Sequence, residues 1–124
     1  MPTIFHTISL WLMILLYVSA GMNHFLQPRI YIKIIPSYFP VKHLINIAAG
    51  TAEITLGIAL YFEETRYWAA WLIMAMLISF FPVHIHMQQI APFKMGKFTI
   101  TKQLALIRTL LQFVLIYWAY TFTR

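Results

Sequence analysis

The stretch GMNHFLQPRIYIKIIPSYFP, Gly21–Pro40, closes an apolar run that begins near Thr3. The run ends on a polar pair, Asn23 and His24. Pro28, Pro36 and Pro40 then alternate with Arg29, Lys33, Tyr31, Tyr38 and Phe39. This composition is too greasy for a loop in water. Each proline also lacks the backbone donor that a helix interior needs. Backbone without helical bonding cannot face lipid tails. Tyrosine and lysine suit the headgroup zone, where an apolar body and a polar tip are both satisfied. The segment therefore predicts a short interfacial piece or re-entrant cap folded over the mouth of a membrane bundle, with a plain connector as the alternative.

Working outward, four apolar stretches reach the roughly 20 residues needed to cross a bilayer. They run from about Thr3 to Phe25, Val41 to Phe62, Tyr67 to Met87 and Lys102 to Phe122. Glu63, Glu64 and Arg66 read as a polar turn between the second and third. Pro92, Gly96, Lys94 and Lys97 separate the third from the fourth, and APFKMGKF resembles the first connection in character. The expected fold is all-α: a single domain over residues 1–124 forming a four-helix up-down transmembrane bundle with a proline and aromatic interfacial segment between helices one and two.

Composition agrees. The chain is 61% hydrophobic and 10% charged, with mean hydropathy +0.75. A soluble domain carries about a quarter charged residues, so the lipid bilayer is the expected partner. The net charge of +6 reads as topogenic and headgroup-facing, with no nucleic-acid role. There are no cysteines; a dithiol relay and thiolate metal ligation within this chain are excluded. The first stretch lacks a charged leader and a small-residue cleavage site, so it reads as a retained helix. No phosphate loop, zinc spacing or nucleophile elbow is present.

Lysine and arginine counts orient the bundle. Arg29, Lys33 and Lys42 lie in one connection and Lys94, Lys97 and Lys102 in another; the opposite side has Arg66 and Arg124. The bias places both basic connections in the cytoplasm and both termini on the outer side.

Few polar residues interrupt the spans. Asn46, Gly50, Glu53 and Gly57 recur at helical spacing on one face, and the two glycines allow a neighbouring helix to approach. Arg108 and Gln112 share a face of the last helix. A charge at the helix centre costs about 2.5–3.5 kcal/mol on insertion scales, so Glu53 and Arg108 are expected to point inward. Glu53 lies on the order of 15 Å in from Lys42, and Arg108 on the order of 9 Å from Lys102. Asn23, His24, Asn46, His84, His86, Gln89 and Arg108 all fall in the cytoplasmic half. Together they predict a polar cavity with the proline-rich segment as its lid. Glu53 and Arg108 read either as a structural ion pair or as ligand or proton groups. His84 and His86 diverge on a regular helix, so no metal site is expected.

The run Gly21, His24, Phe25, Pro28, Tyr31, Ile34, Pro36, Tyr38 and Pro40 resembles the DoxX-like membrane protein family. So do NIAAGTAEITLGIAL, with Asn46, Gly50, Glu53 and Gly57, and RYWAAWLIMAMLISFFPVHIHM. The IRTLLQ segment, with Arg108 and Gln112, fits as well. Related chains often carry Asn where this one has His84. The resemblance spans nearly the whole chain. It implies a four-helix protein of the bacterial cytoplasmic (inner) membrane associated with redox assemblies. The expected function is an accessory subunit binding a quinone-like or other small lipophile. Glu53 and Arg108 would anchor the polar end, with Asn23, His24, Asn46, Gln112 and His84 around it. A redox partner protein and a homo-oligomer are both compatible. A small proton-coupled carrier using Glu53 and a purely structural scaffold are the alternatives.

Overall fold

The computed structural model describes residues 3–95 and 97–123. Gly96 and Arg124, read above as a loop breaker and an outer cation, lie outside the described residues. The chain is mostly helical: α1 (Ile4–Leu26), α2 (Pro28–Ile34), α3 (Lys42–Ala59), α4 (Glu63–Ser79), α5 (Phe81–Ile90) and α6 (Lys102–Tyr120). Between α5 and α6, β1 (Phe93–Met95) and β2 (Phe98–Ile100) pair antiparallel with Phe93 opposite Ile100. Thr3 and Thr101 start α1 and α6 by accepting from the His6 and Leu104 backbone N–H groups, each at 3.1 Å.

Among the described residues, three helical stretches are long and apolar enough to cross a membrane: Ile4–Leu26, Glu63–Ile90 and Lys102–Thr123. α3 is not one of them, because Lys42, His43, Asn46 and Glu53 fall within its 18 residues. It is nonetheless central to the packing. α1 lies along α3, α3 also meets α4, and α4 and α5 pack on α6. The α1–α3 contact is close because glycine makes it so. A Cβ at Gly21 would sit 2.7 Å from the Gly50 carbonyl oxygen, and one at Gly50 would sit 2.8 Å from the His24 Cβ.

The interior divides in two. One cluster joins Leu10, Met13, Ile14, Tyr17, Leu60, Ile73, Leu77 and Phe122 at the end holding the α3–α4 turn. A smaller one joins Ile34, Met87, Ala91, Ile100 and Ala105 at the other end, under α2 and the hairpin. The buried polar residues are His24, Asn46, Glu53, His84 and Gln112. The outer faces of α1 and α6 stay apolar and exposed, including Phe5, Leu12, Leu15, Leu26, Ile107, Phe113 and Tyr117.

Several expectations need correction. The fold is not purely α, since the connection between α5 and α6, APFKMGKF and the residues after it, carries the β1–β2 pair. Pro28 does not simply stop a helix. The break falls at Gln27 (φ −132°, ψ 61°), and Pro28 opens α2, where its missing N–H costs nothing. The stretch over 67–87 is interrupted at Phe80, and Pro82 sits in the first turn of α5. Glu63, Glu64 and Arg66 belong to the first turn of α4 rather than to a turn before it. There the two carboxylates face the positive end of the helix dipole. Arg66 reaches back to cap α3, its Nε donating to the Leu60 carbonyl at 2.8 Å and its Nη2 to that of Tyr61 at 3.0 Å.

Candidate functional site

Two neighbouring arrangements hold the polar residues. The first is closed. His24 lies in the last turn of α1, and Asn46 and Glu53 face it from α3. The Asn46 Nδ2 donates to the His24 backbone carbonyl at 2.9 Å, which turns the amide oxygen toward the His24 Nδ1, 2.7 Å away. An amide oxygen only accepts, so this geometry assigns a proton to Nδ1. The other ring nitrogen, Nε2, lies 3.5 Å from the Glu53 Oε2. A proton held between them, as imidazolium and carboxylate or as imidazole and carboxylic acid, would leave the pair with no net charge and lower the cost of burying residues only 7% (His24) and 6% (Glu53) exposed. The Glu53 Oε2 and the Tyr17 hydroxyl make no hydrogen bond among the described residues.

Tyr31 of α2 joins this cluster to the second arrangement. Its ring stacks on His24 with centroids 3.7 Å apart and planes 21° apart. Its hydroxyl accepts from the Asn23 Nδ2 at 2.8 Å, leaving its own hydrogen free to donate. Burial pushes that hydroxyl above its ordinary value, so it stays neutral.

On the far side of Tyr31 lies a half-open cleft of about 500 Å³. Asn23, Gln27, Ile30 and Tyr31 form one wall; Met95, Lys97, Phe98 and Arg108 form the other. Arg108 is half-buried. Its Nη1 reaches the Met95 thioether sulfur at 3.5 Å, a weak acceptor. Lys33 donates to the Lys94 carbonyl at 2.7 Å, so the two basic connections meet at this end of the molecule.

The expected residues are thus divided. His24, Asn46 and Glu53 form the closed cluster, while Asn23 and Arg108 line the cleft. Among the described residues Glu53 forms its ion pair with His24 and not with Arg108, because the glycine contact seats α1, rather than α6, against the Glu53 face of α3. Gln112 donates to the Leu77 carbonyl at 3.0 Å, tying α6 to α4 just before the Phe80 break. His84 is buried in α5, and its Nδ1 has no partner among the described residues. Sequence reasoning missed the linking role of Tyr31 and the contributions of Gln27, Ile30, Met95, Lys97 and Phe98. The Tyr31 signal was available: it lies seven residues after His24, a spacing that returns to one face if the chain resumes a helix after Gln27.

A family model described as a domain of unknown function, DUF8561, matches residues 13–123, and the chain belongs to that family. No curated protein and no solved structure matches it.

Proposed function

We propose that this protein is an accessory subunit of a membrane redox system, and that the cleft between α2, the hairpin and α6 receives the polar end of a small lipophile such as a quinone. The observation that carries this reading is the cleft's lining. Asn23, Tyr31 and Arg108 line it together with Ile30, Met95 and Phe98, the mix of a few polar groups and apolar wall typical of small-molecule sites. With no cysteine in the chain, electrons would have to arrive with the ligand or a partner protein. The resemblance to DoxX-like chains supports the redox setting, the bacterial cytoplasmic membrane and a redox partner protein; a homo-oligomer is compatible with this reading.

In this reading α3 is a fourth crossing. Its polar face, Asn46 and Glu53, is turned into the protein, which removes the insertion penalty that its hydropathy suggests. The six cations Arg29, Lys33, Lys42, Lys94, Lys97 and Lys102 put the cleft end in the cytoplasm. Both termini then lie outside.

The test is binding of a short-chain quinone to detergent-purified protein, with Arg108→Gln and Asn23→Leu as variants. The reading expects saturable binding weakened by both changes. Equal binding by folded wild type and both variants, or none at all, contradicts it. A proton-coupled carrier is the second reading, favoured by the close approach of two buried titratable groups, His24 and Glu53. Proton-driven solute uptake into liposomes, lost in Glu53→Gln, would put it first.

A further inference from the structure

Resting on the cleft reading above, we infer that the site is built for an amphiphile whose head is an oxyanion, a phosphate or a carboxylate.

The chain has three acidic residues, Glu53, Glu63 and Glu64. Glu63 and Glu64 are exposed in the first turn of α4, at the end of the bundle away from the cleft. Glu53 lies 3.5 Å from His24 inside the closed cluster. Among the described residues, no acidic side chain lines the cleft. Arg108 is permanently cationic and half-buried, and among the described residues its side-chain hydrogen bond goes to a thioether. Lys97 faces the same space, and Lys33 stands nearby, bound to the Lys94 carbonyl and 5.5 Å above the Phe93 ring. A partly desolvated cation without a counterion is costly to keep, and no described residue supplies a counterion for this one. An oxyanion from outside would take the Arg108 guanidinium in a two-pronged contact, with the Tyr31 hydroxyl and the Gln27 amide as neutral donors beside it.

The surroundings favour a tail on that anion. Leu26, next to the cleft residue Gln27, is 74% exposed, and Phe98 on the opposite wall is 76% exposed. From Arg108 the exposed side of α6 continues through Leu104, Ile107 and Leu111. A head held at Arg108 would thus leave an acyl chain against apolar surface.

The experiment is native mass spectrometry of the full chain in mild detergent, titrated separately with phosphatidylglycerol, oleate, phosphatidylcholine and a neutral short-chain quinone. Each titration is repeated with millimolar inorganic phosphate as competitor. The expected result is one phosphatidylglycerol or oleate retained per chain, at least tenfold more tightly than phosphatidylcholine. Arg108→Gln should lose at least tenfold of that affinity. Lys97→Gln, at an exposed position that leaves folding intact, should lose severalfold, and Lys102→Gln, outside the cleft, nothing. No competition by phosphate identifies the lipid as the source of the oxyanion; full competition identifies a soluble anion and overturns the amphiphile. Binding of the anionic lipids no tighter than phosphatidylcholine, or unaffected by both Arg108→Gln and Lys97→Gln, overturns the inference. If the neutral quinone still binds in that case, the inference falls and the quinone reading stands. If nothing binds, both fall.

Discussion

Asn23 and His24 are consecutive residues, yet they serve opposite kinds of site. His24 turns into a closed cluster whose contacts come from α1, α2 and α3 and whose titratable groups face one another. Asn23 turns into an open cleft whose cations meet no acidic side chain among the described residues. Neighbouring positions on a helix point about 100° apart, so a single step along α1 separates the two. The closed cluster spends its polar groups on one another and fixes how α1 meets α3. The cleft keeps its polar groups available. Tyr31 touches both, with its ring on His24 and its hydroxyl on Asn23.

This contrast can be attacked from either side. The largest effect is expected for His24→Leu, which leaves the Asn46 amide oxygen and the Glu53 carboxyl buried without their partner. Breaking a buried pair costs on the order of 3–5 kcal/mol, so the detergent-solubilised variant should unfold at a much lower temperature. An unfolding temperature equal to wild type would show that the cluster holds nothing together.

Next comes Gly21→Ala. The added methyl would meet the Gly50 carbonyl at 2.7 Å and the Ile54 amide nitrogen at 2.9 Å, and backbone cannot step aside as a side chain can. Overpacking of this kind costs about 1–3 kcal/mol. Gly57→Ala, whose nearest neighbour would be a Val18 methyl at 3.1 Å, should cost less. A chemical or thermal unfolding series that reverses the order of these two variants would show the α1–α3 contact to be misplaced.

Arg108→Gln should act on the cleft alone. Stability is expected to stay within about 0.5 kcal/mol of wild type, while affinity for an oxyanion-headed lipophile falls at least tenfold, or about 1.4 kcal/mol. Marked destabilisation with unchanged binding would move Arg108 into the structural class. The smallest effect belongs to Tyr31→Phe, which keeps the ring on His24 and loses the hydroxyl. One hydrogen bond is worth about 0.5–1.5 kcal/mol net, and the loss should appear in binding more than in melting. A change in melting alone would place the hydroxyl with the closed cluster.

Much of the closed cluster was legible in the sequence. The recurrence of Asn46, Gly50, Glu53 and Gly57 identified a protein-facing stripe, and all four are buried along α3. Its partner was not legible. Charge logic favours Arg108 for Glu53, but the choice is made by the register of two helices, set where Gly21 and Gly50 let backbones meet. No periodicity within one helix encodes that. The helix after Gln27 was hidden because proline reads as a breaker, while at the first helical position it is compatible with the helix. The hairpin was hidden by its brevity. Each strand has three residues, and alternation over so short a run is indistinguishable from a loop. The cleft needs α2, the hairpin and α6 together, so Met95, Lys97 and Phe98 had no signal of their own.

The most direct test is a pair of double-mutant cycles on unfolding free energy. One combines His24→Phe with Glu53→Gln, and the other Arg108→Met with Glu53→Gln. Residues in contact show coupling of about 0.5–3 kcal/mol, whereas independent sites add within about 0.3–0.5 kcal/mol. Coupling is predicted in the first cycle and additivity in the second. Strong coupling between Glu53 and Arg108, with none between Glu53 and His24, would contradict the separation of cluster and cleft.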